Sequence, residues 1–213
     1  MRIFMLFLFL SICVACNISG NETNDYRPTI NIDTGVYKVL EKKFNVMRLW
    51  QAPDYLGGLD PTYPIAIAYM DCFVARDTDW RAGGIICGLS KIVIKKQNRY
   101  TLITNRAELK NTYAPITSKQ EALSYAVLYT RFFAVFDISF FKSSYDYFGE
   151  TPVISYAKPQ NDGYLVHLFS YKQFGCGHPY YSTLVKVTKS GEVQILQQTA
   201  SFEDPQQYGL CVD

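Results

Sequence analysis

The spacing of apolar and polar residues divides the chain into three parts. An apolar run from Ile3 to Leu10 follows a single positive charge at Arg2, and residues 17–34 are polar with few apolar positions. So short a run is typical of a secretory signal, because a helix that spans a bilayer needs roughly 20 apolar residues. The pattern predicts a signal peptide at residues 1–15, a polar tether at 16–34 and one folded domain at 35–213. A sub-boundary near residues 104–117 is the alternative.

The first half of the folded region is predicted to be rich in β-structure. β-branched and aromatic residues favour strands, and a nearly unbroken apolar run is typical of a buried strand. Strands are predicted at 36–50, 65–74, 85–95 and 100–103. Residues 53–64 are dense in Gly and Pro and are predicted to be loop. The last two strands form a hairpin with its turn at Gln97 and Asn98.

The clearest helix signal lies in the middle of the chain. Ser118 and Glu121 form a capping box, in which each side chain can accept a hydrogen bond from a backbone N–H at the start of a helix. The apolar residues that follow recur at helical spacing, which predicts an amphipathic helix over residues 119–131 that packs on a sheet. A shorter helix is predicted to begin at residues 105–108 and to end before Pro115.

The C-terminal third alternates short β-favourable runs with turn residues. Strands are predicted at 152–157, 163–171, 181–187 and 193–200. Residues 158–163 and 189–192 carry the Gly, Asn and Asp typical of hairpin turns. Residues 132–141 fit either the end of a helix or a strand. The predicted fold class is α+β: an antiparallel β-sheet with one packed amphipathic helix, preceded by a β-rich part.

The residues after the apolar run carry a more specific signal. Cys13, Val14, Ala15 and Cys16 resemble the lipobox of bacterial lipoproteins, although Cys13 stands where that family usually has Leu. The resemblance implies cleavage before Cys16, a lipid on that cysteine and a location in the bacterial cell envelope, with the membrane as partner. Cleavage near Ala15 or Gly20 and secretion as a soluble protein is the alternative.

The remaining cysteines fit an oxidising compartment. If Cys13 leaves with the signal and Cys16 takes the lipid, four cysteines remain, which can pair in three ways. We favour bridges from Cys72 to Cys87 and from Cys176 to Cys211, since the second would hold the C-terminal segment to a glycine-rich loop.

Composition and charge exclude several function classes. Lys and Arg number 21 against 19 Asp and Glu, without a basic run, which argues against nucleic-acid binding. The chain lacks phosphate-loop, dinucleotide and metalloprotease motifs, so no cofactor and no metal are predicted. Asp77 and Asp79 have the spacing seen in calcium loops, but no acidic residue closes such a loop, and a turn explains them better.

Two groups of residues are candidates for function. A thiol enzyme or hydrolase would use Cys176 with His167 or His178; against it, an exported cysteine is expected to be oxidised and His167 to be half-buried in a strand. The predicted contact surface is rich in exposed aromatic side chains, which suit adaptable binding. It consists of Tyr145, Tyr147, Tyr180 and Tyr181. The competing interpretation is that these rings fill the core.

The C-terminal half resembles a group of uncharacterised bacterial exported proteins. The resemblance rests on four segments of residues 100–213. These are Ala114-Pro115-Ile116, Glu121 to Ala126, Phe174-Gly175-Cys176-Gly177 and Leu210 to Asp213. It implies export and no assigned activity. In outline the helix and strands are also similar to PepSY-type and cystatin-like modules, which would make the chain an inhibitor of a partner enzyme.

The leading hypothesis is therefore a non-enzymatic binding or assembly module of the envelope, with a protein, peptide or glycan as ligand. The thiol enzyme or hydrolase and the PepSY-like inhibitor are the alternatives.

The lipobox resemblance generates a direct prediction. In a bacterial host, the full chain should incorporate labelled fatty acid and sediment with membranes, and Cys16→Ser should abolish both, because several acyl chains hold a protein on a bilayer far better than one. Cys13→Ser is the matched control and should still be lipidated. A Cys16→Ser protein that still partitions with membranes would contradict the prediction.

Overall fold

The computed structural model describes residues 35–52, 62–70, 89–96 and 98–212. These contain three α-helices and two antiparallel sheets, so the predicted α+β class is confirmed. The signal peptide, the tether, Cys16, the Asp77 and Asp79 turn and the Cys72–Cys87 pair lie outside the described residues.

The first sheet has four strands in the order β1-β2-β3-β4. They are β1 (Arg48–Gln51), β2 (Thr62–Met70), β3 (Leu89–Lys96) and β4 (Arg99–Ile103). The predicted hairpin of β3 and β4 is confirmed, with Lys96 paired to Arg99 across its end. The predicted loop at 53–64 ends earlier than expected, because β2 begins at Thr62.

The prediction of a strand throughout 36–50 is wrong in its first part. Helix α1 occupies Gly35–Phe44, and only β1 is extended. Tyr37 and Leu40 are buried against the first sheet, and Val36 and Phe44 pack beside them. This spacing of three to four residues buries one side of a helix, and that packing overrides the strand preference of the individual residues.

Helices α2 (Arg106–Tyr113) and α3 (Lys119–Thr130) begin with the same motif. The Ser118 side chain accepts a hydrogen bond from the backbone N–H of Glu121, as predicted. The Glu121 carboxylate accepts from the N–H and hydroxyl of Thr117, one residue before the position expected for a capping box. In α2, Asn105 and Glu108 act in the same way, and Glu108 accepts from Thr104.

Helix α3 begins where predicted and ends one residue earlier, at Thr130, but it is more deeply buried than an amphipathic cover. All seven residues from Ala122 to Leu128 are buried. Since each residue turns the helix by about 100°, seven consecutive buried residues cover every side of it. The surrounding core contains side chains of the first sheet, of α2 and of the second sheet, among them Ile92, Leu109 and Val166.

The second sheet has five strands in the order β5-β9-β8-β7-β6. They are β5 (Asp146–Tyr147), β6 (Tyr156–Gln160), β7 (Gly163–Tyr171), β8 (Tyr180–Thr188) and β9 (Val193–Glu203). The predictions for β7, β8 and β9 are confirmed. The strand predicted at 152–157 begins later, at Tyr156, and continues through Pro159 to Gln160, so the turn is only Asn161 and Asp162. Residues 132–141 form neither a continuing helix nor a strand, but an isolated bridge at Phe133 and a 3₁₀ turn at Ile138–Phe140.

The two faces of the second sheet have different neighbours. The helix face carries Tyr164, Val166 and Leu168, which belong to the core around α3. The outer face carries the alternate residues of β7, including His167 and Phe169. Residues 132–148 cover one end of it with an aromatic cluster around Phe169 and Phe202. The other end of the outer face is not covered by this cluster.

A disulfide fastens the C-terminal segment. Cys176 is bonded to Cys211, which confirms this predicted pair. Next to it, Gly175 and Val212 exchange two backbone hydrogen bonds. The bridge is expected to stabilise the fold by about 2–4 kcal/mol, mainly by restricting the unfolded chain.

The all-round burial of α3 can be tested with two substitutions on different sides of it. Leu123 and Leu128 lie about 140° apart around the helix, and both are buried. Leu123→Ala and Leu128→Ala should each lower the free energy of unfolding by about 2–5 kcal/mol, as measured by denaturant titration. Val39→Ala on α1, where the side chain is exposed, should change it by no more than about 0.5 kcal/mol. A small effect at either leucine would mean that α3 has a solvent-facing side.

Candidate binding groove

A groove of about 340 Å³ lies on the uncovered part of the outer face. Its wall is the segment 148–153 that follows β5. Its floor consists of side chains from four neighbouring strands. The principal ones are Tyr156, His167, Ser182, Leu184, Gln197 and Thr199. The volume is at the lower end of the range for sites that bind small molecules or short peptide segments.

Strand register places these side chains together. Tyr156 pairs with His167, His167 with Leu184, and Leu184 with Gln197, so one row crosses the sheet from β6 to β9. Ser182 lies two residues from Leu184 and therefore points to the same face, and it pairs with Thr199. The packing of Val166 and Leu168 on α3 determines which residues of β7 point to the outer face. A shift of the strand register by one residue would turn these two side chains away from the core.

His167 forms the centre of the floor. Its side chain is almost fully buried, its Nδ1 lies 3.3 Å from the carbonyl oxygen of Ile154, and its Nε2 lies 2.8 Å from Oγ of Ser182. Because a carbonyl can only accept, Nδ1 carries the proton and Nε2 accepts from the Ser182 hydroxyl. Burial lowers the pKa of His167 below its usual range, and the hydrogen bond to the Ile154 carbonyl opposes this only in part. The imidazole is therefore neutral at pH 7.

The groove carries little charge. Among the described residues that line it, Glu150 is the sole carboxylate, and hydroxyl, amide and apolar groups make up most of the rest. Tyr156 stacks on His167 with ring centres 5.2 Å apart, and burial raises its pKa, so its hydroxyl is neutral too. A neutral or positively charged ligand would fit this environment better than an anion.

One side of the groove is formed by the edge of the sheet. Strand β5 pairs with β9 only at Phe202 and Glu203, and residues 194–200 of β9 are exposed. None of these seven residues is charged. The opposite edge strand, β6, carries Lys158 and Pro159, which are residues that commonly protect an edge from pairing with another chain. Bulges in the pairing with β8 near Leu196 and Ser201 bend the β9 edge without covering it.

The predicted tyrosine surface is largely part of the aromatic cluster. Tyr145 is buried and stacks on Phe202 with ring centres 5.3 Å apart, and Tyr180 stacks on the same ring at 4.6 Å. Tyr147 and Tyr181 are half-buried, and the Tyr147 hydroxyl donates to the Lys142 carbonyl. Packing therefore accounts for Tyr145 and Tyr180, and a contact role for the other two stays a prediction.

The structure separates the residues of the thiol-enzyme hypothesis. Cys176 is bonded to Cys211 and has no thiol to act as a nucleophile. His178 is buried and holds the C-terminal segment, since its ring nitrogens lie 3.1 Å from the Lys172 carbonyl oxygen and 2.9 Å from that of Leu210. His167 is hydrogen-bonded to Ser182 and not to Cys176. In this oxidised state Cys176 cannot act as a nucleophile, and the thiol-enzyme alternative stays a prediction for the reduced protein.

His167 can be recognised as a candidate from the sequence, but its partner Ser182 cannot. Ser182 is 15 residues away in sequence and becomes a neighbour only through the hairpin of β7 and β8. The turn at residues 172–179 is too long and irregular to fix the register of that hairpin from sequence. Gln197 and Thr199 were missed for the same reason.

The described ranges hold no group of three or more His, Cys, Asp or Glu side chains arranged to bind a metal ion. None of their helices has the length and apolar character needed to cross a membrane. Comparison with protein-family models, curated proteins and solved structures finds no match for this chain.

The lowered pKa of His167 predicts a specific dependence of stability on pH. The unfolded chain takes up a proton on His167 near its ordinary value of 6.5, whereas the folded protein does so only at lower pH. Protonation therefore favours the unfolded state. The free energy of unfolding should fall as the pH drops below about 6.5, and the loss should level off below the folded-state pKa of His167.

The comparison with His167→Gln isolates this effect. The difference in unfolding free energy between the wild type and the variant should shrink as the pH is lowered from about 7.5 to 5, as measured by denaturant titration. A difference that stays constant, or grows towards acid, would show that His167 is not held neutral.

Proposed function

We propose that this protein is an exported, lipid-anchored envelope protein that binds an extended peptide segment of a partner protein. The segment would add as a strand to the edge of β9 along residues 194–200, which no described strand occupies, with side chains on one face lying in the groove. The observation that carries the proposal is the juxtaposition of an exposed, uncharged strand edge with a groove on the same side of the sheet. The export and anchoring components rest on the lipobox resemblance at Cys16.

The edge favours a peptide because it offers backbone groups rather than side chains. An edge strand presents a row of N–H and C=O groups, and an added strand pairs with these irrespective of its sequence. Strand β5 already uses this edge at Asp146 and Tyr147, before the chain leaves at Phe148, whose N–H still donates to the Ser201 carbonyl. A peptide alongside residues 194–200 would continue the line that β5 begins.

The groove supplies the specificity. Every second side chain of an added strand would point to the outer face, where it meets Gln197, Thr199 and the wall at 148–153. The Glu150 carboxylate favours Lys or Arg in the ligand, and exposed Phe148 and Val153 favour an apolar neighbour. We therefore expect an extended segment that combines a basic side chain with apolar ones.

A peptide also fits better than a glycan. Sugar-binding sites commonly present an open aromatic face. The Tyr156 ring is not open, because it stacks on His167 and the Lys158 ammonium lies 4.6 Å from its centre. Phe148 is an exposed ring, but it belongs to the wall rather than to a flat platform.

The proposal can be tested by selecting ligands and then blocking the groove. A display library of random linear peptides should yield binders to the immobilised full chain. Thr199→Arg places a long side chain in the groove and should weaken those binders at least about tenfold, which corresponds to about 1.4 kcal/mol. Thr101→Arg is the matched control, because Thr101 is exposed on β4 at the edge of the other sheet, and it should leave the affinity unchanged.

Backbone methylation of a selected peptide distinguishes strand addition from other modes of binding. Methyl groups on alternate peptide nitrogens in one register should abolish binding, and methyl groups in the other register should be tolerated, since only alternate N–H groups of an added strand face the edge. Equal tolerance in both registers, or selection of glycans but no peptides on parallel arrays, would contradict the proposal.

A further inference from the structure

The floor of the groove contains a hydrogen-bonded serine–histidine pair, Ser182 and His167, which peptide binding does not require. We infer that Ser182 is an activated nucleophile and His167 its general base, in an acyl-transfer reaction on small carboxylic esters. This inference goes beyond the proposed peptide binding and does not depend on it, because it concerns the chemistry of two side chains and not the strand edge.

The geometry of the pair is that of a serine nucleophile and its base. The 2.8 Å contact places the Ser182 hydroxyl on the unprotonated Nε2 of His167, within the range expected for such pairs. Both side chains line the groove, where Ser182 is half-buried and His167 is almost fully buried. A ligand can therefore reach the Ser182 hydroxyl, and a water molecule in the groove can approach the same pair.

A third group orients the base. The Ile154 carbonyl accepts from Nδ1 of His167 and so fixes the tautomer, a role that a carboxylate has in the serine–histidine–aspartate triad. The carbonyl is itself held in place, because the next residue, Ser155, is fully buried and exchanges two hydrogen bonds with Val135. Its N–H donates to the Val135 carbonyl at 2.7 Å, and its Oγ accepts from the Val135 N–H at 3.0 Å.

Donors for a developing oxyanion lie on the neighbouring strand. Thr199 is paired directly with Ser182, and its hydroxyl oxygen accepts from Nε2 of Gln197 at 3.2 Å. Because that oxygen accepts, its own proton is free to donate, and the second amide proton of Gln197 is available as well. Side-chain donors of this kind can stabilise a tetrahedral oxyanion.

The proposed reaction needs only the ester, water and the two side chains. The Ser182 oxygen attacks the ester carbonyl carbon while Nε2 of His167 takes the hydroxyl proton. The tetrahedral intermediate then expels the alcohol, which receives that proton, and leaves an acyl group on Ser182. Water attacks this second ester, gives its proton through His167 to Ser182, and releases the carboxylic acid.

The groove indicates which esters could react. Its volume fits a short acyl or aryl group, and Leu184, Phe148 and Val153 offer apolar contacts. The Glu150 carboxylate disfavours an anionic substrate. The expected class is therefore neutral or cationic esters of small carboxylic acids.

A fluorophosphonate probe tests the inference on the full chain. We expect one covalent adduct, located on Ser182 by mass spectrometry, and hydrolysis of p-nitrophenyl acetate by the same protein. Ser182→Ala should abolish both, whereas Ser139→Ala, which removes an exposed serine on the 3₁₀ turn, should leave both unchanged. Mapping of the adduct in the wild type keeps the test decisive even if Ser182→Ala does not fold.

The role of His167 has its own readout. His167→Gln should slow labelling by about 100-fold or more, and the wild-type rate should fall at acidic pH with a midpoint below the ordinary histidine value of 6.5. No adduct on Ser182 in folded protein, while a known serine hydrolase in the same tube is labelled, would overturn the inference. So would a rate that His167→Gln leaves unchanged. Peptide selection can succeed when this test fails, so the two proposals are judged separately.

Discussion

The central part of α3, residues 122–128, has no solvent-facing side, so its polar side chains must find hydrogen-bond partners in the protein and not in water. The Tyr125 hydroxyl donates to the Gly191 carbonyl at 2.8 Å, and the Tyr113 hydroxyl lies 3.5 Å from Oγ of Ser124. Burial raises the pKa of both tyrosines, so the hydroxyls stay neutral. Gly191 adopts a φ of +83°, and a Cβ there would lie 3.2 Å from the Tyr125 oxygen. The turn between β8 and β9 is thereby tied to the helix.

This burial determines what the other face of the second sheet can present. Once Val166, Leu168 and Val185 pack around α3, the alternate residues of the same strands must point away from it. His167 and Ser182 are among these residues, and their contact follows from the register that the core imposes. The aromatic cluster then covers only one end of the outer face, which leaves the groove. The burial of α3 thus determines the strand register, and the strand register determines which side chains line the groove.

The sequence predicts the elements whose signals are local. Ser118 and Glu121 mark the start of α3, and the Gly and Asp residues of the hairpin turns mark β7 to β9, because capping and turn geometry depend on neighbouring residues. Predictions failed where packing decides, as in α1, whose Val36 and Tyr37 favour a strand in isolation. The all-round burial of α3 was also missed, since its Ser and Tyr positions look polar until Tyr113 and Gly191 are beside them. Of the groove, His167 could be singled out as an unusual residue in a strand, but Ser182 could not, because their contact requires the tertiary register.

The functional account depends on the edge of β9 along residues 194–200, with which no other described strand pairs. Hydrogen exchange measures the state of this edge most directly. In the unliganded protein, amides of residues 194–200 that point away from β8 should exchange nearly as fast as those of an unstructured peptide. They should alternate with slowly exchanging neighbours that pair with β8. Amides in β8, which has a paired strand on both sides, should all exchange slowly. Uniformly slow exchange throughout residues 194–200 would contradict the account, because it would mean that the edge is already occupied.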